Sequence, residues 1–306
     1  MTTIGPADAA DAADAADAAD AAGGGIALLQ GFASPVRPIG VAPVLVDVGG
    51  GVFRERGTKW PPIGSAFSPA TRQRYFPRSY WSPQHLSVAV LSEFVQARAR
   101  RSGGGAWYRW YDIDLSGHLP ATAAQRDAEF RKLVELIEYR PGIMAEAMAQ
   151  RNAIVQYYAG LLMFNRASHP ATYMLCQVAI RVGQYQAMYH KYKYNRPRPS
   201  QLSRDLMPPI DPPGHAAFPS GHATEAFLVT RVLRRVVPGN ADRAPLNALA
   251  DRIARNREVL GLHYPSDTAA GKSLAEQTMP LLTACATVRS LIRRARPEWI
   301  NEARYP

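Results

Sequence analysis

The sequence predicts an all-α protein, a helical bundle preceded by an irregular Pro/Gly-rich segment. Three observations point there. Apolar residues recur at three- and four-residue spacing through most of the chain beyond residue 119. No strand–helix alternation is visible, and no internal repeat of ~20–50 residues appears, which argues against a Rossmann-like or solenoid architecture. With 306 residues, 47% of them apolar, the chain can bury a sizeable core.

The elements follow in order. Asp8, Asp11, Asp14, Asp17 and Asp20 recur every third residue in alanine ahead of Gly23 to Gly25, so residues 1–25 read as a disordered, low-complexity acidic tail with nothing to bury. Residues 26–118 form the irregular segment. Pro61-Pro62, Pro69 and Pro77 interrupt any helix there, and short apolar runs such as Val44-Leu45-Val46 suit loops with a short hairpin. Its one helix opens at Ser82-Pro83 and runs to about Arg100, with Ser87, Val90, Leu91, Phe94 and Val95 at helical spacing and Gly103 to Gly105 closing it. Residues 119–306 are expected to be the helical catalytic domain. Phe130, Leu133, Val134, Leu136 and Ile137 mark an amphipathic helix that Pro141-Gly142 stops. Further helices are expected over 143–164, 172–194 and 221–237, on the stripe Leu246, Leu249, Ile253 and Leu260, and as one long helix over 268–294.

Charge and cysteine usage narrow the function classes. Thirty-six Lys and Arg against 25 Asp and Glu give +11, and the five tail acids make the remainder more basic still, so an anionic partner is expected. Cys176 and Cys285 lie in apolar helical stretches, where neither a disulfide framework nor a thiolate metal site is expected. No basic region followed by an apolar run opens the chain, and no segment reaches the ~18 apolar residues of a membrane span. These features predict a soluble, cytoplasmic protein.

Three short blocks carry chemistry. In Lys191-Tyr-Lys-Tyr-Asn-Arg-Pro-Arg198-Pro199 two cations sit where a helix runs into a proline-locked loop, and both can reach one oxyanion; a solvated basic helix end is the other reading. In Phe218-Pro219-Ser220-Gly221-His222 a serine N-cap, a glycine and the first N–H groups of a helix suit a phosphate-like group, and His222 can move protons beside it; an ordinary cap with a surface histidine is the alternative. In the third block Arg257 lies four residues after Ile253 near the apolar stripe, where a buried anion would relieve its desolvation. Asp267 follows His263 by four residues, so the carboxylate can accept from one imidazole nitrogen and leave the other as a lone-pair donor, for nucleophilic attack or metal ligation, unless the pair is structural.

Lys191, six residues, Arg198-Pro199; Pro219-Ser220-Gly221-His222; Arg257, five residues, His263, three residues, Asp267: in order and spacing this resembles the tripartite signature of the type 2 phosphatidic acid phosphatase and vanadium haloperoxidase superfamily. The match covers about 80 residues. Asn256 stands where the signature commonly has Ser. The resemblance implies a helical bundle of the vanadium haloperoxidase and acid phosphatase type around one phosphate or vanadate. Lys191, Arg198 and Arg257 would neutralise its oxygens, and Ser220 with the Gly221 N–H would donate hydrogen bonds to them. His263, oriented by Asp267, would be the nucleophile or the ligand of vanadium, and His222 the general acid and base.

The same cup serves two reactions, because five-coordinate vanadate has the shape and charge of the phosphoryl-transfer transition state. One is vanadate-dependent halide oxidation by hydrogen peroxide; the other is phosphate monoester hydrolysis through a phosphohistidine, which needs no cofactor. The family's lipid phosphatases would carry transmembrane helices, and its secreted acid phosphatases an export signal. The Pro-rich approach from Pro208 to His215 looks like haloperoxidase-type members, and His215 stands where the bromoperoxidase branch has a second active-site histidine. Met188 occupies a site near Lys191 where chloroperoxidase relatives carry an aromatic. The sequence therefore favours a haloperoxidase using bromide or iodide rather than chloride, with the phosphatase next. A third class, nucleic-acid or anionic-membrane-surface binding, would rest on Arg289, Arg293, Arg294 and Arg296 beside Trp299; no nucleic acid is expected as partner. A homodimer is expected by analogy. Trp107, Trp110 and Tyr111 offer a substrate lip or a packed connector, and His190 adjoins Lys191 outside the motifs.

Overall fold

In the computed structural model the residues described are 45–47, 53–55, 81–239 and 243–300. Two compact units divide between Trp81 and Ser82. In the smaller, β1 (Leu45–Asp47) and β2 (Phe53–Glu55) pair antiparallel, with Val46 opposite Arg54, within the segment where a hairpin was expected. The reading of residues 1–25 as a disordered tail lies outside the described residues.

The larger unit starts with α1 (Pro83–Gln96). Ser82 caps it by accepting the His85 N–H at 3.1 Å, and Val90 and Phe94 face the core. The helix stops at Gln96, earlier than the spacing suggests, because β3 (Ala99–Arg100) turns through Gly103 and Gly104, at φ 75° and 80°, to pair with β4 (Trp107–Tyr108). Ile113 and Leu115 of the following connector are fully buried. The unit's boundary therefore lies at residue 82: a domain starting at 119 would lose α1 and this connector from its own core.

α2 (Ala123–Glu135) begins with a reciprocal cap, Thr122 Oγ1 accepting the Gln125 N–H and Gln125 Oε1 the Thr122 N–H. Pro141 does not stop this helix. It sits in the first turn of α3 (Arg140–Ala149), where a missing N–H costs nothing. The helix expected over 143–164 is two, α3 and α4 (Ile154–Leu161), because the polar run Gln150-Arg151-Asn152 offers no apolar residue to hold the stripe and Asn competes for backbone hydrogen bonds.

The bundle's long member is α5 (Pro170–Tyr194), ended by Asn195 in the left-handed region, and a short turn, α6 (Pro199–Leu202), follows. α7 (Gly221–Leu233) is buried on nearly every side and packs against α5, α8 (Ala244–Val259) and α9 (Pro265–Ala284). Tyr158 braces it, its hydroxyl 2.9 Å from both the Ala226 carbonyl and Thr230 Oγ1. The single helix expected over 268–294 breaks at Cys285, whose extended backbone (ψ 131°) lets α10 (Ala286–Ala295) turn onto α5. Both cysteines are buried free thiols. Among the described residues no helix is long and apolar enough to cross a membrane. The arrangement brings the C-terminal ends of α5 and α8 to the N-terminal ends of α7 and α9.

Candidate active site

At that convergence the chain places four groups that solvent barely reaches: Lys191, Arg198, Arg257 and His263 are each 4% exposed or less. Lys191, in the last turn of α5, donates from Nζ to the carbonyls of Ala216 (2.8 Å) and Ala217 (3.0 Å). Arg198 staples two loops together. Its Nε donates to the His215 carbonyl and its Nη1 to the Leu262 carbonyl, both at 3.0 Å, while Nη2 reaches His215 Nδ1 at 2.9 Å. His215 Nδ1 thus sits between the Arg198 guanidinium and the Ala216 carbonyl, 3.2 Å away.

Ser220 caps α7 with its Oγ accepting the Ala223 N–H at 3.4 Å, and its own N–H donates to the Asp267 carbonyl at 3.0 Å, tying α7 to α9. The approach is close enough to demand a glycine. A Cβ on Gly271 of α9 would stand 2.7 Å from the Ser220 carbonyl oxygen and 2.9 Å from Ala223 Cβ. The positive end of α7 therefore faces the cup, with Gly221 and His222 on the cavity wall.

Arg257 ends α8 and donates from Nη2 to the Ala147 carbonyl, while its Nε has no partner among the described residues. Burial first, then nearby Arg151, lowers its pKa to about 10, which leaves it charged at neutral pH. His263 Nδ1 lies 3.1 Å from Asp267 Oδ2, and Arg198 Nη1 lies 3.4 Å from Nε2. The carboxylate thus accepts a hydrogen bond from Nδ1–H, and Nε2 keeps its lone pair on the cationic side. Burial, then Lys191 and Arg198, hold this imidazole well below its usual range, so it is neutral at pH 7.

Asp267 is fully buried, and burial pushes it up to about 6 against the opposing pull of Arg196, the Tyr264 N–H and Lys191. It remains a carboxylate at neutral pH. Arg196 is one of the residues that the sequence did not single out. Its Nη1 meets Asp267 Oδ1 at 2.7 Å and Ser266 Oγ at 2.6 Å, its Nη2 meets Glu129 Oε2 at 2.7 Å, and it lies 3.7 Å over the Tyr264 ring. Glu129 Oε1 in turn accepts the Ser266 N–H at 2.8 Å. The signal was present, a third cation two residues before Arg198; Glu129, 138 residues from Asp267, had none.

A cavity of about 760 Å³ opens over these groups. Lys191, Arg198, Gly221, His222, Arg257 and His263 line it, as do His215 and Met188; Ser220 and Asp267 lie behind the wall, both fully buried. The cavity also takes in Arg151, Arg181 and Glu225, which no motif marks. His190 does not line it: the ring is buried against Tyr189 and Tyr194. Trp110 packs on Tyr185 and Tyr189, centroids 5.1 and 4.8 Å away, so it is a packed connector, while Trp107 is 61% exposed. The basic cluster on α10 is remote from the cup. Arg296 donates to the carbonyl of Arg235, beyond the other end of α7, and Trp299 is occupied in donating to Thr172 Oγ1 and packing on His169.

Fold and site define an all-α domain with a buried cationic cup built on a histidine–aspartate pair. Residues 170–289, from α5 into α10 and including all three blocks, match the PAP2 superfamily. Two curated relatives, decaprenylphosphoryl-5-phosphoribose phosphatase of Mycobacterium tuberculosis strains CDC 1551 / Oshkosh and ATCC 25618 / H37Rv, are each 38% identical to this chain over 66 residues, covering 21% of this chain and 34% of theirs. The chain thus spans about a third of the length of the curated relatives it matches.

Proposed function

We propose that the chain is a phosphohydrolase that passes a phosphoryl group through His263. One observation carries this reading: the His263 Nε2 lone pair is held in a buried cup between Arg198 and the cavity, its other nitrogen fixed by Asp267. Nε2 attacks phosphorus, the bond to the ester oxygen breaks, and His222 gives that oxygen a proton. A water then attacks the phosphohistidine, His222 takes its proton, and phosphate leaves with Nε2 restored. Lys191, Arg198 and Arg257 offset the charge on the three equatorial oxygens, and the Gly221 N–H donates to them, held in place by the Ser220 cap behind the wall. Asp267 stabilises the imidazole as it acquires positive character. A phosphatase among the relatives supports this order of preference over the haloperoxidase that the sequence alone favoured.

His215 favours a second reading, since it lies on the cavity wall beside Arg198, where a bromoperoxidase would have its second histidine. The residues fit vanadate: a lone-pair nitrogen on His263, three cations, and an Arg257 Nε without a partner among the described residues. Vanadate, when bound, would activate hydrogen peroxide toward bromide or iodide. Here His263 would hold it, and His215 and His222 would hold protons at the rim.

The two readings part in one experiment. Purified protein is assayed for phosphate release from p-nitrophenyl phosphate and, after addition of orthovanadate, for peroxide-dependent bromination of a phenolic dye. Phosphate release that orthovanadate inhibits and His263→Ala abolishes supports the hydrolase. Bromination without phosphate release overturns it.

A further inference from the structure

The cavity is far larger than one phosphoryl group and carries more cations than one needs. At about 760 Å³ it has the size of a site for a whole small molecule. Five cations line it, Arg151, Arg181, Lys191, Arg198 and Arg257, against the two carboxylates Asp211 and Glu225. Lys191, Arg198 and Arg257 belong to the cup, and Arg151 is close enough to Arg257 to lower its pKa. Arg181 stands apart.

Its position follows from the helix. Arg181, Gln184, Met188 and Lys191 recur at i, i+3, i+7 and i+10 on α5, so they share a face, and all four line the cavity. Ten residues of α5 between Arg181 and Lys191 correspond to ~15 Å along the axis. Between these ends the wall is apolar or aromatic except at Gln184: Met188, Tyr185 and Tyr189 of α5, with Leu91 of α1. Arg181 makes no hydrogen bond or ion pair among the described residues, and its Nε is shut off from solvent. A guanidinium part-buried at the end of a cavity with no carboxylate attached is costly unless a ligand completes it.

We infer that Arg181 is a second anion subsite, and that the substrate is an elongated organic phosphate monoester whose apolar or aromatic middle crosses Tyr185 and Met188 and ends in a second anionic group at Arg181. This rests on the phosphohydrolase reading and names the substrate class for the same cup. The cup receives the phosphoryl group to be removed. Arg181 sets the register by receiving the distal charge, so substrates lacking that charge bind the cup without the register.

The test uses equilibrium binding, which needs no turnover. Linear alkane-α,ω-bisphosphonates of increasing length are titrated calorimetrically into the full chain and into R181Q and R181K. Alkylphosphonates and ω-hydroxyalkylphosphonates of the same lengths are the controls. The bisphosphonate long enough to span the cavity is expected to bind about tenfold more tightly than either control. R181Q erases that advantage, R181K keeps part of it, and the short alkylphosphonate, which does not reach Arg181, binds all three proteins alike. Equal affinity of bisphosphonate and controls at every length, or an advantage that survives R181Q, overturns the second subsite and leaves the hydrolase reading standing. Failure of the alkylphosphonates themselves to bind, with no phosphate released from p-nitrophenyl phosphate, overturns the cup and the subsite together.

Discussion

Acidification should destabilise this fold through a residue outside the catalytic motifs. His190 is 0% exposed on α5, stacks on Tyr194 with centroids 6.1 Å apart, and has no hydrogen-bond partner for either ring nitrogen among the described residues. Burial, with Lys193 adding to it, lowers its pKa from 6.5 to about 4. The unfolded chain therefore takes up a proton as the pH drops through 6.5, while the folded ring refuses it until about 4. Folding loses nothing at pH 8, and the loss is complete below pH 4. A gap of about 2.5 pH units at about 1.4 kcal/mol each gives about 3.5 kcal/mol in full, and about 2.5 kcal/mol at pH 4.5. The perturbation is His190→Leu, which keeps the volume and removes the titration. At pH 8 the variant should match the wild type or exceed it, because two unpartnered polar atoms leave the core at the loss of the ring contacts with Tyr189 and Tyr194. Urea unfolding followed by circular dichroism at pH 8 and 4.5 reads the result; the shared carboxylates cancel in the difference. The wild type should lose about 2.5 kcal/mol more than the variant between the two pH values. Parallel losses within about 0.5 kcal/mol would refute the reasoning.

Three further outcomes follow from the site. Gly271→Ala places a methyl 2.7 Å from the Ser220 carbonyl and 3.1 Å from the Thr224 nitrogen, backbone atoms that cannot swing aside. It should cost about 1–3 kcal/mol in thermal unfolding and at least about tenfold in phosphate release, through displacement of the first turn of α7. The acid limb of kcat/KM should lie at or below about 6, because His263 is held neutral and Asp267 must be ionised; activity disappears as pH falls through that limb. Arg196→Met strips the buried carboxylate of its cation, so it should cost about 3–5 kcal/mol and move the acid limb toward neutrality, with Arg196→Lys restoring part of both. A pH–rate profile unmoved by Arg196→Met would show that Arg196 only holds the loop.

Much of this was legible because short-range chemistry decides it. The caps at Ser82 and Ser220, the Asn195 terminus and the buried stripe of α8 are written within a few residues of where they act. So were the cup residues, since a helix end followed by a proline-locked loop fixes where Lys191 and Arg198 sit relative to each other. Breaks set by distant packing were not legible: the kink at Cys285 depends on α5, and the stop at Gln96 on the pairing of β3 with β4, which begins eleven residues further on. The same limit hid Glu129 and Arg181. Their place in the site comes from how helices pack across the bundle, which no local pattern records.

The central claim is that His263 Nε2 accepts the phosphoryl group. It is tested most directly by quenching turnover of a ³²P-labelled monoester in alkali and mapping the label by mass spectrometry. The account predicts acid-labile, alkali-stable phosphorus on the Nε2 position of the peptide containing His263, absent from His263→Ala. Phosphorus on His222 instead, or phosphate release at full rate with no labelled protein at any time point, would contradict it.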